Sequence, residues 1–181
     1  YLLNDPTEKF WGSGSIKYGF KFIATYVDTY ETQAEVNRHH QEYPDESTVK
    51  VGEIKHFTDI AKTGKGGFLG ILRMDVDRLG AIFRFGLEQS SILQIASLSS
   101  DIDFFLTGYF PRLCQTRFRK NVYIPYAGGD DFLVIGAWDQ MVELACQVRE
   151  DFQIFTCKNP DIHISGGIFL CKEKYPIHLA A

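Results

Sequence analysis

The chain has 181 residues, of which 45% are hydrophobic and 23% are charged, and this composition excludes intrinsic disorder, collagen and a coiled coil. Its 19 basic and 23 acidic side chains give a formal net charge of −4, so a broadly basic surface for nucleic acid is not expected. No apolar run approaches the ~20 residues of a membrane-spanning helix, so no membrane partner is expected either. Because the first residue is not methionine, we expect the chain to be a piece of a longer protein.

The first 65 residues are expected to form an extension that precedes the main domain. A run of aromatic and β-branched residues predicts a strand over residues 18–27. Residues 29–43 predict a short polar helix with His39 and His40 on its surface. The glycines of residues 64–67 predict a hinge-like turn, which places the domain boundary between residues 65 and 66.

Residues 66–181 have a clearer pattern of four apolar strand segments and two amphipathic helices. The strands are predicted over residues 68–74, 122–126, 132–135 and 162–170. The first helix is predicted over residues 91–110 and is expected to end at Pro111, and Asp139 is expected to cap the second. A last helix beginning near Tyr175 is expected to be truncated at the C-terminal end of the chain.

The order β-α-β-β-α-β predicts an α+β, ferredoxin-like domain. Right-handed crossovers then predict the sheet order 4-1-3-2, in which the first and third strands are antiparallel neighbours. This order puts Pro125 on an edge strand, where proline is tolerated.

Acidic residues stand at two positions that this sheet would bring together. Asp75 and Asp77 directly follow the first strand, whereas Asp130 and Asp131 directly precede the third. Carboxylates this close repel one another and lose hydration, so either one takes up a proton or a cation joins them. Oxygen ligands without sulfur or imidazole suit Mg²⁺ or Mn²⁺. Two such ions can bind triphosphate oxygens and lower the pKa of an attacking hydroxyl, so all four acids are candidate metal ligands.

Two further pairs of residues are candidate nucleotide ligands. Gly128 and Gly129 permit a positive φ at the hairpin tip and let the backbone approach a bulky nucleotide. Lys172 and Lys174 follow the fourth strand and are candidates for binding the triphosphate, with solvated surface charge as the alternative.

Several motifs together carry a resemblance to a known family. Asp75-Val-Asp-Arg-Leu-Gly80 with Gly128-Gly-Asp-Asp131 resembles the palm domain shared by nucleotidyl cyclases and polymerases. More narrowly, the chain resembles the large subunit of type III CRISPR interference complexes, which more often has asparagine at the position of Arg78. The stretches that carry this narrower resemblance are residues 69–83, 98–109, 126–131, 165–167 and 172–176. The resemblance covers about residues 57–181, so residues 66–181 are expected to be the palm.

The resemblance implies an enzyme that converts ATP into cyclic oligoadenylate second messengers when its complex binds target RNA, as part of antiviral defence. The 3′-hydroxyl of one ATP attacks the α-phosphate of another and releases pyrophosphate. Asp75 and the carbonyl of Val76 are implied to bind Mg²⁺ or Mn²⁺, Asp130 and Asp131 are the implied catalytic pair, and Asp77 supports them. Guide RNA, target RNA and other type III subunits are the implied partners, and the implied location is cytoplasmic.

Two other interpretations remain open. A diguanylate cyclase of the GGDEF type would use GTP, but such enzymes typically have glutamate where Asp131 stands. A non-catalytic palm would only bind guide RNA and partner subunits. The intact acids argue against such a scaffold, because a scaffold has no reason to tolerate clustered like charge.

Overall fold

The computed structural model describes residues 26–46, 48–86, 91–118 and 122–179. Most of the predicted strand over residues 18–27 therefore lies outside the described residues. The helices are α1 (Gln33–Glu42), α2 (Phe57–Lys62), α3 (Leu79–Phe85), α4 (Ile92–Phe104), α5 (Phe110–Arg117) and α6 (Trp138–Phe155). The strands are β1 (Leu69–Val76), β2 (Val122–Gly128), β3 (Asp131–Ala137) and β4 (Ile164–Cys171). None of the helices in these described stretches is long and apolar enough to cross a membrane.

The four strands form one antiparallel sheet in the order β2-β3-β1-β4. This is the predicted order, and the mixed helix and sheet architecture confirms the prediction of an α+β, ferredoxin-like domain. Pro125 lies on edge strand β2, where the pairing register shifts between Tyr123 and Tyr126. The edge prediction for Pro125 is therefore confirmed, because a proline at an edge position removes no ladder hydrogen bond from a central strand.

The two faces of the sheet are covered unequally. On one face, Leu72, Met74 and Val76 of β1 pack in a buried core with residues of α4, α5 and α6. On the other face, Leu69 and Ile71 pack against α2, which covers only the end of the sheet where β1 begins. Because side chains alternate along a strand, the next two positions of this second face are Arg73 and Asp75, and both are exposed.

The predicted end of the first palm helix at Pro111 is wrong. The helix continues from α4 through a π-helical turn, Phe105–Tyr109, into α5, which ends at Arg117. Pro111 lies in the first turn of α5, where its missing N–H costs little because the π-turn has already shifted the hydrogen-bond pattern.

Two predictions at helix ends in the second half of the domain are also wrong. Ala137 is the N-cap of α6, and Asp139 lies within its first turn, where the carboxylate accepts a hydrogen bond from the Lys65 N–H at 3.3 Å. The expected helix near Tyr175 is only a 3₁₀ turn over Ile177–Leu179.

In the extension, α1 begins at a capping box formed by Thr32 and Glu35. The surface interpretation of His39 is wrong, since this side chain is 1% exposed and its Nδ1 lies 2.8 Å from Asp59 Oδ2. Tyr30, also 1% exposed, donates a hydrogen bond to the same carboxylate oxygen. This polar cluster fixes α1 against α2, and α2 in turn packs on the sheet.

Candidate functional site

The pairing of β1 with β3 brings three of the predicted acids to one end of the sheet. Asp75 is the direct register partner of Asp131. The N–H of Val76 donates to the carbonyl oxygen of Asp130 at 2.9 Å, which ties the hairpin tip to the end of β1. Residues that are 55 positions apart in the sequence therefore meet on the partly uncovered face of the sheet.

The electrostatics of this end of the sheet disfavour negative charge. Although Asp75 is exposed, partial loss of hydration is the main cause that raises its pKa. The nearby charges of Asp130, Asp131 and Asp77 raise this pKa further, while Arg73 lowers it. Like charges directly opposite each other on paired strands are destabilising. A divalent cation among these oxygens would remove the repulsion, so the donor set fits a hard cation such as Mg²⁺ or Mn²⁺.

The protein itself engages both carboxylate oxygens of Asp131. Arg73 Nη2 donates to Asp131 Oδ2 at 3.0 Å, and the Tyr126 hydroxyl lies 2.7 Å from Asp131 Oδ1. The same hydroxyl lies 2.6 Å from the carbonyl oxygen of Gly128, so its one proton has two possible acceptors. The pKa of Tyr126 is raised to about 12, mainly by the hydrogen bond between its hydroxyl and Asp131.

Asp77 is oriented by β4. Its N–H donates to the carbonyl oxygen of His163 at 2.9 Å, and its carboxylate accepts a hydrogen bond from Ser165 Oγ at 2.5 Å. Within the described residues, no three His, Cys, Asp or Glu side chains form a ready-made metal site. The acids nevertheless have the oxygen ligands and the backbone proximity that suit a hard cation.

The glycine hairpin has a conformation that favours glycine. Gly128 has φ +149° and Gly129 has φ +76°, which side chains with a Cβ rarely adopt. The N–H of Gly129 donates to Asp103 Oδ1 of α4 at 3.1 Å. The helix layer therefore helps to hold the tip that carries Asp130.

Lys172 and Lys174 are not brought to the acids. Leu69, at the start of β1, pairs with Cys171, whereas Asp75 pairs with Ser165. Six residue positions along β1 correspond to about 20 Å, so both lysines follow the opposite end of β4. Their assignment to the triphosphate stays a prediction, and it requires a ligand that extends along the sheet toward them.

A sizeable groove lies away from the acid cluster. A groove of about 730 Å³ opens between α6 and β4, and its lining includes Met74, Arg149, Ile168 and Gln153. Of the predicted ligands it contains only Asp77. The three clustered acids instead lie at an open surface, which suits a substrate that approaches across the sheet.

Sequence reasoning did not assign a role to three side chains that contact the site. Arg73 precedes Asp75 by two residues, so strand alternation already predicts that the two share a face. Tyr126 stands just before the glycine pair, but its hydrogen bond to Asp131 depends on how the hairpin folds. The contact of Asp103 with the hairpin is set by the packing of α4, and no local pattern indicates it.

A ferredoxin-like antiparallel sheet, with one aspartate at the end of its first strand and two more after a glycine hairpin, defines the palm class of domains. The family model described as Cas10/Cmr2, second palm domain, matches residues 68–181. The chain therefore belongs to the Cas10/Cmr2 second palm domain family.

Individual relatives agree with this membership. A Cas10/Csm1 protein of Methanocaldococcus jannaschii, named as a subtype III-A CRISPR system single-strand-specific deoxyribonuclease, is 44% identical over 118 residues, which are 59% of this chain and 15% of that protein. Two solved structures of a Csm1–Csm4 cassette, one in complex with AMPPNP and one with cA4, are each 26% identical with a TM-score of 0.69. Each match covers 93% of this chain and 23% of the solved chain. The chain thus spans less than a quarter of the length of these relatives.

Proposed function

We propose that this chain is the catalytic palm of a type III CRISPR interference complex and that it makes cyclic oligoadenylates from ATP. The observation that carries the proposal is the meeting of Asp75, Asp130 and Asp131 at the open end of the sheet. The AMPPNP and cA4 complexes of solved Csm1 relatives support an adenine nucleotide as substrate and a cyclic oligoadenylate as product.

In this proposal, Asp75, the carbonyl of Val76, Asp130 and Asp131 would hold Mg²⁺ or Mn²⁺. When bound, these ions neutralise phosphate charge and lower the pKa of the attacking hydroxyl. Asp77, which accepts a hydrogen bond from Ser165 Oγ, would support these metal ligands.

The protein contributes mainly by positioning two nucleotides on the exposed sheet face. Gly129 would leave room beside the hairpin for one of them, whereas a Cβ on Gly128 would face Thr107 of the helix layer at 3.3 Å. The 3′-hydroxyl of one ATP attacks the α-phosphate of the other, a new phosphodiester bond forms, and pyrophosphate leaves. Repetition of this step followed by closure of the chain gives the cyclic product.

The same proposal extends to the assembly. Solved relatives pair Csm1 with Csm4, which supports other type III subunits as partners of this chain. We assign guide RNA and target RNA as the remaining partners, with target RNA as the activator, and the cytoplasm as the location.

The test is product formation by the assembled complex with ATP, Mg²⁺ and target RNA. The double variant Asp130→Asn/Asp131→Asn is expected to lose about 100-fold or more of the rate, since removing groups that stabilise transition-state charge has effects of this size. Asp161→Asn, an exposed acid outside the site, is the matched control and should keep the parental rate. Product formation by the double variant at the parental rate would exclude the proposal, and a product made from GTP instead of ATP would favour a diguanylate cyclase.

A further inference from the structure

Arg73 is an exposed cation inside an otherwise acidic site. Its side chain is 61% exposed, and it makes an ion pair with Asp131, whose side chain is 16% exposed. The two residues are diagonal neighbours, because Arg73 pairs with Leu133 and Asp75 pairs with Asp131. Arg73 therefore supplies positive charge next to the clustered carboxylates and lowers the pKa of Asp75 against their effect.

The contacts of Asp131 imply competition between Arg73 and an incoming metal ion. One carboxylate oxygen faces Arg73 and the other faces the Tyr126 hydroxyl. Each carboxylate oxygen keeps a second lone pair, so a cation can reach Asp131, but its positive charge then repels the guanidinium of Arg73 on the same carboxylate. The ion pair with Arg73 breaks more easily than the contact with Tyr126, because an exposed ion pair contributes only about 0.2–1 kcal/mol. The exposed guanidinium can then bind another anion.

The sheet also provides space for the displaced guanidinium. On the β4 side, the register partner of Arg73 is Gly167. A Cβ placed on Gly167 would meet no heavy atom within 4 Å, so the surface beside Arg73 is open. A guanidinium presents five N–H donors in a planar fork that matches a phosphate group.

We propose that Arg73 is an exchangeable counterion, which pairs with Asp131 in the ligand-free protein and moves to a phosphate of the nucleotide when Asp131 turns to the divalent cation. This inference rests on the proposed function and adds a residue that recognises the phosphates of the substrate. Arg73 then couples the two binding events, because the metal ion releases the group that the nucleotide needs.

The first test measures binding to the 181-residue chain by calorimetry, with Mn²⁺ alone and then with ATP in the presence of Ca²⁺. Arg73→Gln is expected to bind Mn²⁺ about two- to fivefold more tightly, because the competing cation is gone. The same variant is expected to bind ATP about tenfold more weakly, because a charge-assisted hydrogen bond to phosphate is lost. Arg117→Gln removes a comparable exposed ion pair, with Glu143 on the helix layer, and should change neither affinity.

The second test follows the guanidinium itself by ¹⁵N NMR in the unaltered chain, with Arg73→Lys used to assign the signal. The Arg73 signal should shift on addition of Mg²⁺ and shift again on addition of the nucleotide, while that of Arg117 stays in place. Unchanged or weaker Mn²⁺ binding by Arg73→Gln, unchanged ATP binding, or a static Arg73 signal would each overturn the inference. If Asp130→Ala, in a chain that retains Arg73, binds Mn²⁺ as tightly as the parental chain, the proposed metal site fails as well. If Asp130→Ala weakens Mn²⁺ binding but Arg73→Gln has no effect, only the counterion role of Arg73 is rejected.

Discussion

Two adjacent glycines of β4 should respond in opposite ways to the same substitution. A Cβ on Gly166 would clash with the side chain of Met74 and would lie 2.5 Å from the carbonyl oxygen of Arg73. A Cβ on Gly167, on the other face of the strand, would meet nothing within 4 Å. Gly166→Ala must therefore push β4 away from β1, whereas Gly167→Ala requires no movement.

The expected loss of stability in Gly166→Ala depends on the backbone atom that the added methyl group would meet, the carbonyl oxygen of Arg73. A carbonyl oxygen in the ladder between two strands cannot rotate away, so the clash at Gly166 is expected to cost about 1–3 kcal/mol of unfolding free energy. For a chain of this length, a loss of 1 kcal/mol in unfolding free energy lowers the melting temperature by about 2–4 °C. Gly166→Ala should therefore melt about 2–12 °C below the parental chain. Gly167→Ala should change the unfolding free energy by no more than about 0.5 kcal/mol, or stabilise slightly, because alanine is less flexible in the unfolded chain.

The assay is urea denaturation of the parental chain and the two variants, followed by circular dichroism, with thermal melts as a second measurement. Gly167→Ala is the matched control, since it adds the same methyl group to the neighbouring residue. Equal stability of the two variants, or a larger loss for Gly167→Ala, would contradict the packing of β4 on β1 as described.

Three further predictions concern a thiol, a backbone conformation and a buried ion pair. Burial raises the pKa of Cys114 to about 12, so at pH 8 a thiol reagent should label the exposed Cys146 in the native protein and reach Cys114 only after unfolding, as mass spectrometry of the labelled peptides would report. Arg78 has φ +54°, so Arg78→Asn should raise the unfolding free energy by up to about 1 kcal/mol in urea denaturation, and a loss of stability would contradict this conformation. Asp28 holds the buried amine of Lys55 at 3.0 Å, so Asp28→Ala should lower the unfolding free energy by about 3 kcal/mol, and a loss below about 1 kcal/mol would show that the pair is solvated.

The sheet and its acids were predictable because they depend on strong local patterns and a few topological rules. Short apolar runs predicted the strands, and right-handed crossovers predicted their order. That order alone implied that Asp75 and Asp131 meet. It also implied that Lys172 follows the far end of β4, since β4 runs antiparallel to β1. The prediction that Lys172 binds the triphosphate overlooked this distance from the acids.

The remaining features depend on packing that no local pattern reports. The helix passes Pro111 because a π-turn precedes it, and the sequence of that turn contains no distinctive signal. His39 reads as a surface residue on a polar helix, but Tyr30 and Asp59 from elsewhere in the extension bury it. The ion pair of Arg73 likewise needs the register between β1 and β3, which is defined only once the sheet has formed.

The central claim is that strand pairing creates a divalent cation site from Asp75 and the acids of the hairpin tip. The most direct measurement is anomalous diffraction from crystals of the chain soaked with Mn²⁺ and a non-hydrolysable ATP analogue. The account predicts an anomalous peak at coordination distance, about 2.0–2.3 Å, from carboxylate oxygens of Asp75 and Asp130, with the nucleotide phosphates beside it. A saturated crystal in which Mn²⁺ lies only in the groove between α6 and β4, or contacts neither acid, would contradict it.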